Sequence, residues 1–262
     1  MLRPIRSIYQ FFVDQPIKEA SILNHRYQVL DLIGIGSYGI VYLCRDLQSR
    51  GKKVVKQLRP SKRKNRNEMK LFQDEVTILQ KLKHHHMPIF HEAFSQNGHY
   101  FYVMSYINGV NLEDEIFQNK KRFHEKDALL FIEKVIKLVD ILHKQDIYHL
   151  DLRIPNLLLI DNEPYLIDFG LAKQVKPKHS SIKREEYRLQ DYYDVGDILL
   201  YLLYTTYSSN NKKALPWTEE LSLKEDTVSL LKKLLRIDKA YSNIQSILDD
   251  LDRAVKAVEN SN

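Results

Sequence analysis

Cysteine is almost missing from this sequence. Cys44 is the only one in 262 residues, so no disulfide can close within the chain and a metal site built on cysteines has no second thiolate. A reducing compartment is the simplest setting for such a chain. Also missing is any apolar run approaching the ~20 residues that cross a bilayer. The N-terminus carries no apolar h-region of the kind a signal peptide needs. Together these absences point to the cytoplasm. There is no internal repeat and no low-complexity tract, which excludes solenoid and fibrous architectures. What is present is ordinary for a globular protein: 44% hydrophobic and 28% charged residues. The length suits one large domain or two tightly joined lobes with a proper core.

The formal charge of +6 is unevenly spread. Lys52 to Lys70 holds nine basic residues against one acidic residue, Glu68, and a second basic stretch runs from Lys173 to Arg188. Charge runs are usually solvated surface, and the expectation here is a loop beside a site for an anionic ligand, with no nucleic acid partner.

Along the chain the texture changes twice. Residues 1–24 read as an N-terminal extension, with Ile5, Ile8, Tyr9, Phe12 and Val13 at helical spacing until Pro16 interrupts them. A short stripe of this kind is expected to bury on the domain's own surface; the alternatives are a partner or a membrane surface. From Tyr27 to about Lys56 the pattern is β-like, followed by a predicted helix from about Asn67 to Leu82 and two strand-like pieces around Ile89–Phe94 and Tyr100–Tyr106. After Gly109 the pattern is mainly helical, with predicted helices at Lys126–Lys144, Tyr192–Tyr204, Asp226–Leu235 and Asn243–Val258. The expected organisation is α+β: an extension at 1–24, a small β-rich lobe with one main helix at 25–106, and a larger helical lobe at 107–262.

Several motifs fall on this frame. Gly34-Ile35-Gly36-Ser37-Tyr38-Gly39 is a glycine loop whose backbone can approach phosphates closely. A dinucleotide fold needs a helix directly after such a loop, whereas Ile40-Val41-Tyr42-Leu43 reads as a strand. The loop is therefore read as a glycine-rich hairpin. Lys56 ends the next strand-like run, and Glu75 sits beside the apolar stripe of the following helix, placed to hold the ammonium group. Alone, these two could be unrelated surface charges. His149-Leu150-Asp151-Leu152-Arg153-Ile154-Pro155-Asn156 offers Asp151 as a base or orienting group and Asn156 as an oxygen ligand. Asp168-Phe169-Gly170 follows the apolar Leu166-Ile167, and a carboxylate there suits Mg²⁺.

In this order and spacing the set resembles the eukaryotic-type serine/threonine protein kinase superfamily, over roughly residues 27–251. The resemblance implies a two-lobed kinase fold that binds ATP and Mg²⁺ (Mn²⁺ as an alternative) and transfers the γ-phosphoryl group to a serine or threonine hydroxyl of a protein. It implies that Gly34, Gly36 and Gly39 cover the phosphates, that Lys56 paired with Glu75 holds them, and that Val41 packs on the adenine. Met104 falls at the gatekeeper position, with Ser105 and Ile107 offering backbone groups to the base. Asp151 would be the catalytic base, Asn156 and Asp168 the metal ligands, and Arg153 a neutralising group for the γ-phosphate. Asp191, opening Asp191-Tyr192-Tyr193-Asp194-Val195-Gly196, would cap the next helix and brace the catalytic loop.

The sequence also departs from the family. Leu150 stands where the family has an arginine that receives an activation-loop phosphate, so control by that route is in doubt. About twenty residues separate Gly170 from Asp191, no A-P-E motif is found, and Glu185 or Glu186 is at most a remnant of it. The stretch Asp238–Ser242 holds no arginine to partner such a glutamate. The remaining basic segment suits an acidic or phosphorylated acceptor, and Ser180 and Ser181 are candidate autophosphorylation sites. Two other readings stay open: a kinase-fold enzyme acting on a small molecule, and an inactive nucleotide-binding interaction module. His84-His85-His86 is not expected to bind metal, because consecutive loop side chains diverge. Trp217, Tyr204 and Tyr207 are expected in packing rather than in nucleic-acid stacking.

Overall fold

The computed structural model describes residues 13–175, 181–208 and 215–260. They form two compact units that divide between Asn108 and Gly109. Ile5, Ile8, Tyr9 and Phe12 of the N-terminal stripe, and Ser180, lie outside the described residues.

The first unit is built on a six-stranded antiparallel sheet. Its strands are β1 (Ile22–Leu23), β2 (Tyr27–Ile35), β3 (Gly39–Asp46), β4 (Lys52–Leu58), β5 (Phe90–Gln96) and β6 (His99–Ser105), in the order β1-β2-β3-β4-β6-β5. Strand alternation sends Ile40, Tyr42 and Cys44 to one face, where they join Leu23, Tyr27, Val29, Val55, Phe101 and Val103 in a buried cluster. Burial pushes the Cys44 thiol up to about 12, so it is an inert core group. Residues 13–24 border this face. The amide of Ile17 donates to the Tyr42 hydroxyl at 3.0 Å. The buried Asp14 carboxylate accepts from the Ser61 amide and hydroxyl, both at 2.8 Å.

Helix α1 (Arg66–Lys81) lies over the opposite face. Asn65 caps it, accepting from the amides of Asn67 and Glu68, and Phe72, Ile78 and Leu79 form its buried stripe. The Phe72 ring meets that of Tyr102 on β6, with centroids 5.2 Å apart.

The second unit is helical, with two small sheets. Its strands are β7 (Val110–Asn111), β8 (Ile147–Tyr148), β9 (Leu157–Ile160), β10 (Glu163–Leu166) and β11 (Lys173–Gln174). β7, β9 and β10 form one sheet, and β8 pairs with β11. The helices are α2 (Leu112–Phe117), α3 (Glu125–His143), α4 (Ser181–Tyr204), α5 (Trp217–Glu220), α6 (Glu225–Leu234) and α7 (Ile244–Glu259). α3 buries nine residues, among them Leu129, Ile132, Val135, Ile136, Val139 and Leu142, and packs against α4 and α7.

α4 differs from the sequence expectation. It begins at Ser181 rather than Tyr192, so Asp191 lies inside a 24-residue helix and is not its cap. The stretch Ser181–Gln190 contains no glycine or proline to stop a helix, and its side chains find partners on the preceding chain. Gly196 lets α4 approach α6 closely: a Cβ there would sit 2.7 Å from Leu234 Cβ.

Candidate active site

In the first unit the sheet register brings the predicted residues into rows. Gly34 lies opposite Val41, Val41 opposite Lys56, and Lys56 opposite Tyr102. One step along, Leu43, Val54 and Met104 form a second row on the same face. This face carries α1, and Lys56 Nζ reaches Glu75 Oε1 at 2.7 Å, with the side chains only 9% and 4% exposed. The two charges that could be unrelated in the sequence are a buried ion pair.

The glycine loop is closed by Gly36 N–H donating to the Gly39 carbonyl at 2.9 Å. A Cβ on Gly39 would come within 3.0 Å of both the Gln57 carbonyl and Lys56 Cε. By contrast, a Cβ on Gly34 or Gly36 would meet only ordinary contacts, at 3.9 and 3.8 Å. Gly39 is thus needed by the fold, while Gly34 and Gly36 leave open space. At the end of β6 the Ser105 amide donates to the Ile89 carbonyl at 2.8 Å, and the Ser105 hydroxyl accepts from the Ile89 amide at 2.9 Å. Ile107 follows outside any strand, and its backbone makes no hydrogen bond among the described residues.

In the second unit, Asp151 and Asn156 are joined directly. The Asn156 amide nitrogen donates to the Asp151 main-chain carbonyl at 2.8 Å and to its carboxylate at 3.0 Å. That fixes the orientation of Asn156 and leaves Oδ1 as its remaining acceptor. The Asn156 carbonyl accepts from the Ile167 amide at 2.9 Å, tying this loop to the residue before Asp168. Asp168 is exposed and has φ +59°, with the Gly170 amide donating to its carboxylate at 3.1 Å. Arg153 is exposed and makes no ion pair among the described residues.

The loop is held from below by Asp191, which is fully buried. Its carboxylate accepts from the His149 amide at 3.0 Å, the Leu150 amide at 2.7 Å and His143 Nε2 at 2.7 Å. Leu150 has φ +61°, a strained conformation for a side chain of its size, and its bond to Asp191 holds it there. His149 is buried, and that burial lowers its pKa, so the ring is neutral and Nε2 donates to the Ile167 carbonyl at 3.4 Å. Its ring also meets Phe169, with centroids 5.1 Å apart.

A model of the protein kinase domain matches residues 27–210. The chain belongs to the protein kinase family. The kinase is 39% identical over 257 residues to a Bacillus subtilis protein described as the probable serine/threonine-protein kinase YbdM, an alignment covering 97% of this chain and 99% of that one. It is 32% identical over 152 residues to human NUAK family SNF1-like kinase 2, where the alignment covers 57% of the kinase but only 24% of the relative. The solved kinase domain of PknI from Mycobacterium tuberculosis superposes with a TM-score of 0.71 at 16% identity, covering 92% and 99% of the two chains. At that identity the likeness speaks for the fold, a β-sheet lobe followed by a helical lobe. The relatives place the kinase on the serine/threonine side of the family.

Reading the sequence missed several groups. His143 completes the Asp191 cluster, and no local signal links residues 48 apart. Asn111 caps α2 and also donates to the Pro155 carbonyl at 2.7 Å, steadying the catalytic loop. Asp194, one helical turn after Asp191, accepts from the Leu152 amide at 3.3 Å; its i+3 spacing was the available sign. Burial raises its pKa to about 6. Glu185 and Glu186 are exposed, with no ion pair among the described residues. The His84, His85 and His86 rings cluster at 4.3–5.6 Å instead of diverging. Even so, no group of three side chains suited to a metal occurs among the described residues. Tyr204 packs edge-on against Tyr207 and donates to Glu220 at 2.7 Å.

Proposed function

We propose that this serine/threonine kinase takes Mg-ATP as its phosphoryl donor, with Asp151 as the base that receives the hydroxyl proton of a protein acceptor. The observation that carries the reading is the Asn156–Asp151 link, which aims one carboxylate and frees one amide oxygen. Gly34, Gly36 and Gly39 would cover the phosphates. Lys56, held by Glu75, would set the α- and β-phosphates, and Val41, Met104, Ser105 and Ile107 would receive the adenine.

The residues fit a magnesium ion that comes with its nucleotide. Asn156 Oδ1 and the Asp168 carboxylate are hard oxygen donors, and with only these two the remaining ligands must be phosphate oxygens and water. Magnesium, when bound, neutralises the phosphate oxygens and orients the group to be transferred. The chain's own residues do the rest. Asp151 orients the acceptor oxygen in line with the γ-phosphorus. As the new O–P bond forms, the bond to the bridging oxygen of ADP breaks, and Asp151 takes the hydroxyl proton. Arg153 offers its guanidinium to the γ-phosphate.

An acidic or phosphorylated acceptor remains part of the proposal, on a narrower set of cations. Lys176 and Lys178 of the basic segment lie outside the described residues; Arg188 donates to the Ser242 carbonyl and Arg184 pairs with Asp146, which leaves Lys173, Lys183 and Arg153 among the described residues to meet it. A cytoplasmic setting is proposed from the single, inert cysteine. No helix among the described residues is long and apolar enough to cross a membrane.

The test is transfer of label from γ-labelled ATP to casein and to histone, with and without excess chelator. Label is expected on protein serine or threonine, lost on chelation and lost in Lys56→Ala and Asp168→Ala. Undiminished transfer in Asp168→Ala would remove the assignment.

A further inference from the structure

One face of α4 follows the catalytic loop residue by residue. Arg184, Tyr187, Asp191 and Asp194 recur at the spacing of a single helix face. Their partners advance along the chain in the same order. The Arg184 guanidinium pairs with Asp146: Nε lies 2.9 Å from Oδ1 but is poorly aimed, and the hydrogen bond runs from Nη2 to Oδ2 at 3.3 Å. The Tyr187 ring meets that of Tyr148, with centroids 5.8 Å apart. Asp191 receives the amides of His149 and Leu150, and Asp194 receives that of Leu152. The helix thus touches the chain before, within and after Asp151.

The outer end of this ladder is itself anchored. Arg188 donates to the Ser242 carbonyl at 2.9 Å, and Gln190, which donates to Asp194 at 2.7 Å, accepts from Arg236 at 3.4 Å. Arg184, Arg188 and Arg236 are thus each matched by an acceptor of the chain itself. Leu150 offers no cation to which an added phosphate could bind.

The geometry points to the first three turns of α4 as a built-in positioning device for the catalytic loop, clasped by Arg184 and Asp146, which sets Asp151 without any phosphate being added to the chain. Arg184 and Asp146 are positioning residues, since they act through β8 and the loop rather than on substrate. The inference rests on the kinase reading above and adds its mode of control. The nucleotide-holding residues Lys56 and Glu75 are on the first unit, so loosening the clasp should lower kcat while leaving KM for ATP nearly unchanged.

The test uses the full chain in four forms: wild type, Arg184→Asp, Asp146→Arg and the double variant with the charges exchanged. Each is treated with a phosphatase, shown by intact mass to carry no phosphate, and assayed with γ-labelled Mg-ATP and casein. The clasp is partly exposed, so reversing one charge should lower kcat by roughly fivefold to tenfold, with KM for ATP within about twofold. Exchanging both charges should restore kcat to within about threefold of wild type. Three results would overturn the proposal: a phosphate-free wild type that gains activity about tenfold or more on phosphorylation, single variants with unchanged kcat, or an exchanged pair that folds without recovering.

Hydrogen exchange at the amides of His149, Leu150 and Leu152 separates this from failure of the kinase reading itself. If wild type transfers no label, faster exchange in the single variants and recovery in the exchanged pair would still support the clasp. Unchanged exchange would overturn it.

Discussion

Replacing Asp191 with alanine removes one carboxylate and strands three donors: the amides of His149 and Leu150 and the Nε2–H of His143. All three face a carboxylate with no solvent exposure. An unsatisfied buried donor costs about 1–3 kcal/mol, and water entering the small vacated space recovers part of it, so a total of roughly 3–5 kcal/mol is expected. For a chain of this size that corresponds to a melting temperature lower by about 6–20 °C. Leu150 would also lose the bond that keeps it at φ +61°. Its relaxation would move the adjacent Asp151, and a displacement of about 1 Å at a catalytic group costs on the order of a hundredfold in rate. Asp191→Asn keeps an acceptor for one amide but turns an NH₂ group toward another donor, so it should fall between wild type and alanine. The assay pairs urea unfolding, followed through the only tryptophan, Trp217, with phosphoryl-transfer rates at a temperature where all three proteins are folded. An Asp191→Ala protein within about 1 kcal/mol of wild type, turning over within about threefold of it, would refute the reasoning.

Other outcomes follow from the same packing. Gly196→Ala should destabilise by about 1–2 kcal/mol, because the new Cβ meets Leu234 across the α4–α6 contact and outweighs the gain in helix propensity; thermal melting by circular dichroism checks it, and a more stable variant would contradict it. Asp194 gives a pH signature. Burial raises its pKa to about 6, so the native state binds this proton more tightly than the unfolded chain does. Its contribution is full below about pH 4 and is lost as pH rises through about 6. Asp194→Asn, which never charges, should therefore match wild type near pH 4 and exceed it by about 1 kcal/mol near pH 7.5, the figure being discounted for partial exposure. A stability difference that stays flat between these two pH values would argue against the burial of charge at Asp194.

The proposed catalytic set could be picked out because it lies in short local motifs. Lys56, Asp151, Asn156 and Asp168 could be named from residue type, order and spacing. The α1 stripe could be read from its 3.6-residue period. The start of α4 was not legible. Ser181–Gln190 is polar, with Ile182 as much as 72% exposed, so it has no apolar period to announce a helix. What holds it is pairing with residues far back in the chain, Arg184 with Asp146 and Tyr187 with Tyr148.

By itself the sequence determined which of the family's motif residues this kinase carries and which it lacks, since residue identity and local spacing carry that information. Only the tertiary structure decided how those groups are held. Lys56 becomes a buried partner of Glu75 because α1 lies over the sheet. Asp191 becomes the floor of the catalytic loop, not a helix cap, because α4 runs on toward β8. Hydrogen bonds between residues about forty positions apart leave no mark on local periodicity. They exist only once helices and loops have packed and water has been excluded from between them.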